Sequence, residues 1–185
     1  MSALVQTLHD FAALFDQLKV PYAIMGGWAV RVYGLPRPTY DVDFTIALPR
    51  ERLPELYAAA VAVGFTVPEH YASGWVDSVA DMPLVKFRLY LEGRGIDVDL
   101  FLAESDYQNE LLWRRRQHSI AGRPAWFVSP EDLILLKLIA SRPRDLGDID
   151  DVLFGQPELD ADYMSRWATV LGVEQQLQEA LKNNT

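Results

Sequence analysis

The spacing of apolar residues changes several times along the chain between the period of a helix and that of a strand. The first segment has apolar side chains at intervals of three and four, which is one face of a helix; they are Leu4, Leu8, Phe11, Phe15 and Leu18. Pro21 is expected to mark its end. A short strand is predicted over 22–25, followed by a turn at Gly26-Gly27 and a short helix ending at Gly34.

Beyond Gly34 the pattern predicts further strands and helices in alternation. Strands are predicted over 40–48, 83–91 and 95–103, with two short ones within 118–128. The segment "EGRG" at 92–95 predicts a hairpin between the second and third of them. Helices are predicted over 50–64, 106–116, 129–142 and 145–155, with one or two more in 160–184.

The start of the helix at 129 is marked by strong local signals. Ser129 is a good N-cap, Pro130 suits the first helical position, and Glu131 and Asp132 favour the first turn; Pro143 should stop this helix. From here on the chain is predicted to be helical. We therefore expect an α+β fold with a mixed central sheet flanked by helices, in which residues 1–128 form the core and residues 129–185 a helical extension packed with it as one unit.

Composition narrows the class of protein. Half of the 185 residues are hydrophobic, which is enough for a sizeable core, and no apolar run is long enough to predict a membrane span. The N-terminal segment lacks the early basic cluster of a signal peptide, and the absence of cysteine excludes disulfides and thiolate metal sites, so a cytoplasmic location is expected. The net charge of −9 argues against non-specific coating of nucleic acid.

Two predicted strands each carry a pair of aspartates with one residue between them. Asp41 and Asp43 alternate with Val42 and Phe44, so both carboxylates should point to one face of the sheet. Such carboxylates, about 7 Å apart along a strand, repel each other and are costly to desolvate, and a divalent cation relieves both penalties. Oxygen ligands of this kind suit Mg²⁺ completed by substrate phosphates. A strand neighbour should add a third carboxylate, and Asp97 and Asp99 in "GIDVDLFL" are the candidates.

The glycines before the first pair fit a phosphate ligand. Gly26 and Gly27 follow a strand and precede a helix, where backbone can approach a ligand closely and the helix N-terminus favours an anion. Paired glycines alone are common in turns. Their value here comes from the aspartates that follow after a gap of thirteen residues.

Together, "GGWAVRVYG" and "RPTYDVDF" resemble the signature of the nucleotidyltransferase superfamily, which has the polymerase-β-like fold. They are most similar to its small bacterial branches, the aminoglycoside- and lincosamide-type nucleotidyltransferases and the toxin-type AbiEii-like proteins. The later segment "SPEDLILLKLIASRPRDLGDIDDVL" resembles the AbiEii-like pattern of a lysine-bearing helix followed by Arg and an "RD..D" helix. The resemblance runs from about residue 5 to residue 155.

The resemblance implies an enzyme that moves a nucleoside monophosphate from an NTP to an acceptor hydroxyl. In this chain Asp41 and Asp43 would hold two Mg²⁺ ions, and Gly26 and Gly27 would receive the triphosphate. Asp99 matches the third acid better than Asp97, which stays open as an alternative or supporting ligand. The acceptor could be a small molecule, a tRNA or a protein, and a toxin-type member would have an antitoxin partner.

Several supporting residues have a structural as well as a functional interpretation. Arg37 could bind a phosphate oxygen or neutralise the acids in the empty enzyme. Lys137 lies in the most apolar helix, where it would either extend its ammonium to water or contact the nucleotide phosphates, as the resemblance implies. Asp145 matches the family's later acid and is assigned to the nucleotide site, whereas Asp148 is expected to cap the helix that follows Pro143.

Two other classes of function compete with the transferase. A catalytically silent binding or regulatory protein, half of a toxin–antitoxin pair, would keep the fold without the chemistry. A metal-dependent hydrolase would use the same acids but release free nucleotide. The retained acids argue against a silent protein, because carboxylates without a cation only reduce stability.

Overall fold

The computed structural model describes residues 2–91 and 94–184 and shows helices on both sides of a mixed sheet. The helices are α1 (Ala3–Leu18), α2 (Gly26–Tyr33), α3 (Leu53–Ala62), α4 (Glu69–Ala72), α5 (Asp106–Trp113), α6 (Pro130–Ala140), α7 (Pro143–Gly155), α8 (Ala161–Val170) and α9 (Glu174–Asn183). The strands are β1 (Tyr22–Ile24), β2 (Asp41–Ile46), β3 (Asp77–Val79), β4 (Met82–Leu91), β5 (Arg94–Leu102), β6 (Arg116–Ile120) and β7 (Arg123–Phe127). The predicted α+β class with a mixed central sheet is confirmed.

The sheet order is β3-β4-β5-β2-β1-β7-β6. β2 runs parallel to β5 and β1 parallel to β7, while the other neighbours are antiparallel. The two aspartate-bearing strands are therefore direct neighbours in the middle of the sheet. Two residues of the predicted "EGRG" turn, 92 and 93, lie outside the described residues; the flanking strands β4 and β5 do pair as predicted.

The apolar face of the sheet packs against α1. Val42 and Phe44, which alternate with the two aspartates, are fully buried there. Phe15 lies 5.2 Å from Phe44 and Phe11 lies 5.3 Å from Phe87, both measured between ring centroids, and both pairs meet edge to face. This packing fixes which face of β2 is turned inward, and so leaves Asp41 and Asp43 on the opposite face.

The predicted helix start at 129 is confirmed in detail. Ser129 accepts a hydrogen bond from the backbone N–H of Asp132 at 3.1 Å, and Pro130 is the first residue of α6. Pro143 begins α7 two residues after the left-handed Ser141 ends α6. Buried side chains of α6, α7, α8 and α9 belong to one continuous core with those of the sheet. The division of the chain at residue 128 stays a prediction.

Three local predictions were wrong, and two short elements were not predicted. Gly26 and Gly27 are the first residues of α2 and not a turn before it, because the chain enters the helix directly from Met25. The helix predicted over 106–116 ends at Trp113, and Arg116 begins β6. The helix predicted over 50–64 begins as a 3₁₀ turn over Arg50–Arg52 and ends at Ala62. α4 and β3 were not predicted. They have four and three residues, respectively, and so short a segment shows no clear helical or strand period.

No helix within residues 2–91 and 94–184 combines the length and the apolar character needed to cross a bilayer.

Candidate active site

The two aspartate pairs lie side by side on one face of the sheet. In the parallel register of β2 and β5, Asp41 is opposite Asp97 and Asp43 is opposite Asp99. Directly paired residues share a face. The sequence prediction that all four carboxylates would gather on neighbouring strands therefore agrees with the register of the sheet.

The next strand, β4, adds a basic residue to each pair. Lys86 is opposite Asp99 and its Nζ donates to Asp99 Oδ2 at 2.8 Å. Arg88 is opposite Asp97 and donates to both of its oxygens, at 2.5 and 2.9 Å. Each row across the three strands thus consists of two acids followed by a base. Neither base was predicted from the sequence, although "KFR" in β4 repeats the spacing of the aspartates.

Asp43 is the most perturbed carboxyl of this cluster. Its side chain is half-buried, and burial, followed by the negative charges of Asp41 and Asp99, raises its pKa to about 7. Asp41 has a local partner, because Thr39 donates its hydroxyl to Asp41 Oδ1 at 3.0 Å. The three carboxylates interact strongly enough to repel one another, and a bound cation would relieve this repulsion.

The glycines at the start of α2 pack directly against these side chains. A Cβ added at Gly26, which has φ +62°, would lie 1.9 Å from Asp43 Oδ2. A Cβ added at Gly27 would lie 2.6 Å from Thr39 Oγ1. Only glycine lets the helix begin this close to the acids. The N-terminal end of α2, which carries the positive end of the helix dipole, is therefore turned toward them.

A chain of alternating charges lies on the other side of the same cleft. Lys137 Nζ donates to Asp145 Oδ1 at 2.8 Å and to Asp148 Oδ2 at 2.6 Å, and all three side chains are at most 4% exposed. Arg37 donates to both oxygens of Asp148, and Arg142 donates to Asp145. The two arginines at the ends of this chain are partly exposed, whereas the three residues between them are buried.

These contacts decide the protonation of the buried carboxyls. Burial alone would raise the pKa of Asp145, but the hydrogen bonds from Arg142 and Lys137 outweigh it and hold the pKa below its ordinary value. Asp148 is affected in the same way, with Arg37 and Lys137 as its partners. Both are therefore carboxylates at neutral pH.

This network corrects two expectations. Asp148 does not cap α7; Asp145 does, by accepting from the backbone N–H of Arg142 at 3.1 Å, because Asp145 is the third residue of the helix. Lys137 does not extend to water, and its ammonium is enclosed by two carboxylates. Of the two interpretations of Arg37, the structure shows a carboxylate partner, although on α7 and not among the acids of the sheet.

Two of the sheet acids, the glycines and the basic residues of the network line one small cleft of about 90 Å³. Asp97, Asp99, Asp145 and Asp148 are not among the residues that line it. Its lining includes Gly26, Gly27, Asp41, Asp43, Arg37, Lys137, Arg142 and Arg144. Of these four basic residues, Arg144 is the one for which the described part of the chain offers no carboxylate, and its side chain is exposed. The cleft thus has an acidic wall, a helix N-terminus and a free guanidinium facing one space.

A wider groove of about 1330 Å³ adjoins the cleft. The two share Pro38, Thr39 and Tyr40, and Tyr40 is largely exposed. Trp28 lines the groove but is buried, as a core aromatic would be, and its indole N–H has no hydrogen-bond partner within residues 2–91 and 94–184. None of the four sheet aspartates lines the groove, which adjoins the cleft through the three shared residues.

The residues present suit a divalent cation in their chemistry, but the geometry is not that of a closed metal site. In the described ranges, no group of three or more His, Cys, Asp or Glu side chains is arranged to hold a metal ion. Asp41 and Asp43 offer free carboxylate oxygens, whereas Asp99 gives one oxygen to Lys86. Its other oxygen, Oδ1, is buried and accepts no hydrogen bond from any described group. Oxygen donors of this kind fit Mg²⁺ or Mn²⁺.

Comparison with known proteins supports the fold at the level of structure and not of sequence. No protein-family model matches the chain, and no curated protein matches it by sequence. ANT(2'')-Ia, an antibiotic-resistance factor solved with adenylyl-2''-tobramycin, is 20% identical, with 92% of this chain and 97% of that chain covered and a TM-score of 0.57. The lincosamide antibiotic adenylyltransferase LnuA, solved with lincomycin, is 18% identical, with 80% and 94% covered and a TM-score of 0.51.

These two structures are similar to the chain over most of its length and most of theirs. The fold of this chain is therefore that of the nucleotidyltransferases, as the sequence resemblance implied. The aminoglycoside- and lincosamide-type proteins are represented among the similar structures, and the AbiEii-like branch is not confirmed.

Proposed function

We propose that this protein is a divalent-metal-dependent nucleotidyltransferase that moves a nucleoside monophosphate from an NTP to an acceptor hydroxyl. The observation that carries this proposal is the register of β2 and β5, which aligns Asp43 with Asp99 next to the glycine-containing start of α2. The fold shared with ANT(2'')-Ia and LnuA supports it. Asp41 and Asp43 are the residues that would hold Mg²⁺.

The nucleotide would lie across the cleft with its phosphates between α2 and α7. The backbone N–H groups at the start of α2 suit phosphate oxygens, and the helix dipole favours their charge. Arg144 adds a guanidinium that is paired with no carboxylate among the described residues, and Arg142 is half-exposed beside it. Lys137 contributes from a buried position, where its positive charge lowers the pKa of Asp43.

The chemistry asked of the side chains is small. Bound Mg²⁺ would neutralise charge on the phosphoryl oxygens. Asp99, which lies opposite Asp43 in the register of the two strands, would take the proton of the acceptor hydroxyl. The acceptor oxygen then bonds to the α-phosphorus as the bond to the β-phosphate oxygen breaks, and pyrophosphate leaves toward the basic side of the cleft.

We propose a small hydroxylated molecule as the acceptor, because the two similar structures contain antibiotics or their adenylylated form. The wide groove that shares Thr39 with the cleft has room for such a molecule. A two-ion site, the AbiEii-like branch, an antitoxin partner and a cytoplasmic location stay predictions from the sequence.

The test is transfer of label. The protein is incubated with Mg²⁺ and each α-³²P-labelled NTP in turn. The acceptor offered is a panel of hydroxylated small molecules, tRNA or a cell extract, in separate reactions. Label on an acceptor supports the proposal, and its loss in Asp41→Asn and with EDTA assigns it to this site. Free labelled nucleotide without a labelled acceptor indicates a hydrolase instead. Binding of NTP without turnover indicates the silent binding protein.

A further inference from the structure

The ion pair between Lys86 and Asp99 bears on how many metal ions this site can bind. Lys86 lies on β4, one strand beyond the acids, and the register places it directly opposite Asp99. Its Nζ is 2.8 Å from Asp99 Oδ2, and the side chains are 44% and 20% exposed. The ammonium is therefore at the edge of the acid cluster, reached from solvent, with its position set by the sheet.

Three carboxylates facing one space would ordinarily call for more than one positive charge. In this chain one of those charges is already supplied by the protein, because Lys86 neutralises the third carboxylate. An ammonium group and a divalent cation that contact the same carboxylate are close enough to repel each other strongly. Within the described residues no ammonium or guanidinium group is hydrogen-bonded to Asp41 or Asp43; the hydroxyl of Thr39 is the polar partner that the structure gives Asp41.

We infer that Lys86 substitutes for the second metal ion: the protein on its own binds one divalent cation, at Asp41 and Asp43, while Lys86 occupies Asp99. This inference rests on the proposed function for the identity of the first site. It differs from the two-ion expectation drawn from the family resemblance. Within the described residues Asp99 Oδ1 accepts no hydrogen bond, so neutralising Oδ2 leaves this oxygen available to accept a proton.

The neighbouring pair provides a matched control. Arg88 lies two residues from Lys86 on the same strand and face, and it holds Asp97 as Lys86 holds Asp99. Asp97 is 47% exposed and both of its oxygens accept from Arg88, whereas Asp99 is the carboxylate that lies opposite Asp43 in the register. Removing the charge of Arg88 should therefore leave the single ion bound at Asp41 and Asp43 unaffected.

The experiment counts ions in the absence of nucleotide. Mn²⁺ is titrated into the purified protein, and free Mn²⁺ is measured by electron paramagnetic resonance. Wild type and Arg88→Met are expected to bind one Mn²⁺ ion, whereas Lys86→Met is expected to bind two. The second ion of Lys86→Met should bind at least about tenfold more tightly than any second ion of wild type, which is the size of effect expected for one charge at about 4–6 Å. Lys86→Arg should restore a single ion. Circular dichroism checks the fold of each variant. Because the side chain of Lys86 is 44% exposed, we expect its replacement to leave the fold intact.

Two results would overturn the inference while leaving the proposed function intact: two ions in wild type, or a single ion in Lys86→Met. A second ion bound equally by Arg88→Met would also overturn the inference, because loss of any nearby positive charge would then be enough to create the second site. Absence of Mn²⁺ binding in all four proteins would contradict the metal site of the proposed function itself.

Discussion

Arg37 and Asp148 are 111 positions apart in sequence and meet through two parallel hydrogen bonds of 2.6 and 2.7 Å. This pair joins the segment leading into β2 to the middle of α7. Because Lys137 donates to the same carboxylate from α6, the two helices and the approach to Asp41 are held around one buried charge. The network therefore connects the basic residues that line the same cleft as Asp41 and Asp43.

Replacing Lys137 by Met should destabilise the protein strongly. It would leave Asp145 and Asp148 buried with one arginine each, and loss of one partner from a buried ion pair costs about 3–5 kcal/mol. We expect a loss near 3 kcal/mol, because the arginines remain. Urea unfolding followed by circular dichroism measures this change.

Arg50→Met is the control for this prediction. Arg50 also donates two hydrogen bonds to a carboxylate, that of Glu104, but both side chains are exposed. Its removal should therefore cost less than about 1 kcal/mol. Equal losses in the two variants would show that burial of the Lys137 network contributes nothing to stability.

Gly26→Ala should disrupt the site more than the fold. The new Cβ would lie 1.9 Å from Asp43 Oδ2, so the carboxylate must move from its present position. We expect Mn²⁺ binding weaker by at least about tenfold, since tenfold corresponds to only about 1.4 kcal/mol, together with loss of label transfer. Isothermal titration with Mn²⁺ measures the first effect.

Gly172→Ala separates the contact from the backbone conformation. Gly172 has a similar φ, +70°, but a Cβ there would meet no atom within 4 Å. It should cost about 1–2 kcal/mol of stability through backbone strain and leave Mn²⁺ binding unchanged. If both variants bound Mn²⁺ as wild type does, the close approach of Gly26 to Asp43 would have no role in the site.

Much of the sheet and of its acidic face was predictable because the signals are local. Alternation places Asp41 and Asp43 opposite the buried Val42 and Phe44, and the same period applies to Asp97 and Asp99. Caps and prolines define the start of α6 in the same way. These features depend on a few adjacent residues, so no knowledge of the tertiary structure was needed.

The partners of the site residues were not predictable from local signals. The pairing of Arg37 with Asp148 depends on how α7 packs against the loop before β2, and no sequence period encodes that contact. Lys86 could have been located, because β4 and β5 are consecutive antiparallel strands and their register puts it opposite Asp99. The similar spacing of "KFR" and "DVD" was the available signal.

The buried carboxyl of Asp132 should make stability depend on pH. Burial raises its pKa to about 6, although hydrogen bonds from Tyr163 and Ser129 oppose this rise. A carboxyl whose pKa is higher in the folded than in the unfolded state stabilises the fold at low pH, and this contribution is lost as the pH rises from about 4 through 6. Asp132→Asn lacks this titration.

The free energy of unfolding of Asp132→Asn, relative to wild type, should therefore increase by about 1–2 kcal/mol between pH 4.5 and pH 7.5. Urea unfolding of both proteins at the two pH values gives this difference directly. A difference that is the same at both values would mean that Asp132 ionises in the fold as it does in the unfolded chain.

Asp43→Asn should stabilise the metal-free protein while abolishing transfer. Asp43 lies close enough to Asp41 and Asp99 for their charges to raise its pKa, so a neutral amide removes repulsion that the folded protein bears without a cation. A gain of about 1 kcal/mol corresponds to a rise in Tm of about 2–4 °C for a chain of this size. Thermal unfolding in EDTA measures the gain.

Addition of Mg²⁺ should then raise the Tm of wild type but not of the variant, because a ligand stabilises only the folded protein that binds it. A variant that melts below wild type in EDTA would mean that the carboxylate of Asp43 stabilises the fold, and the case for a cation at this cluster would lose its electrostatic basis.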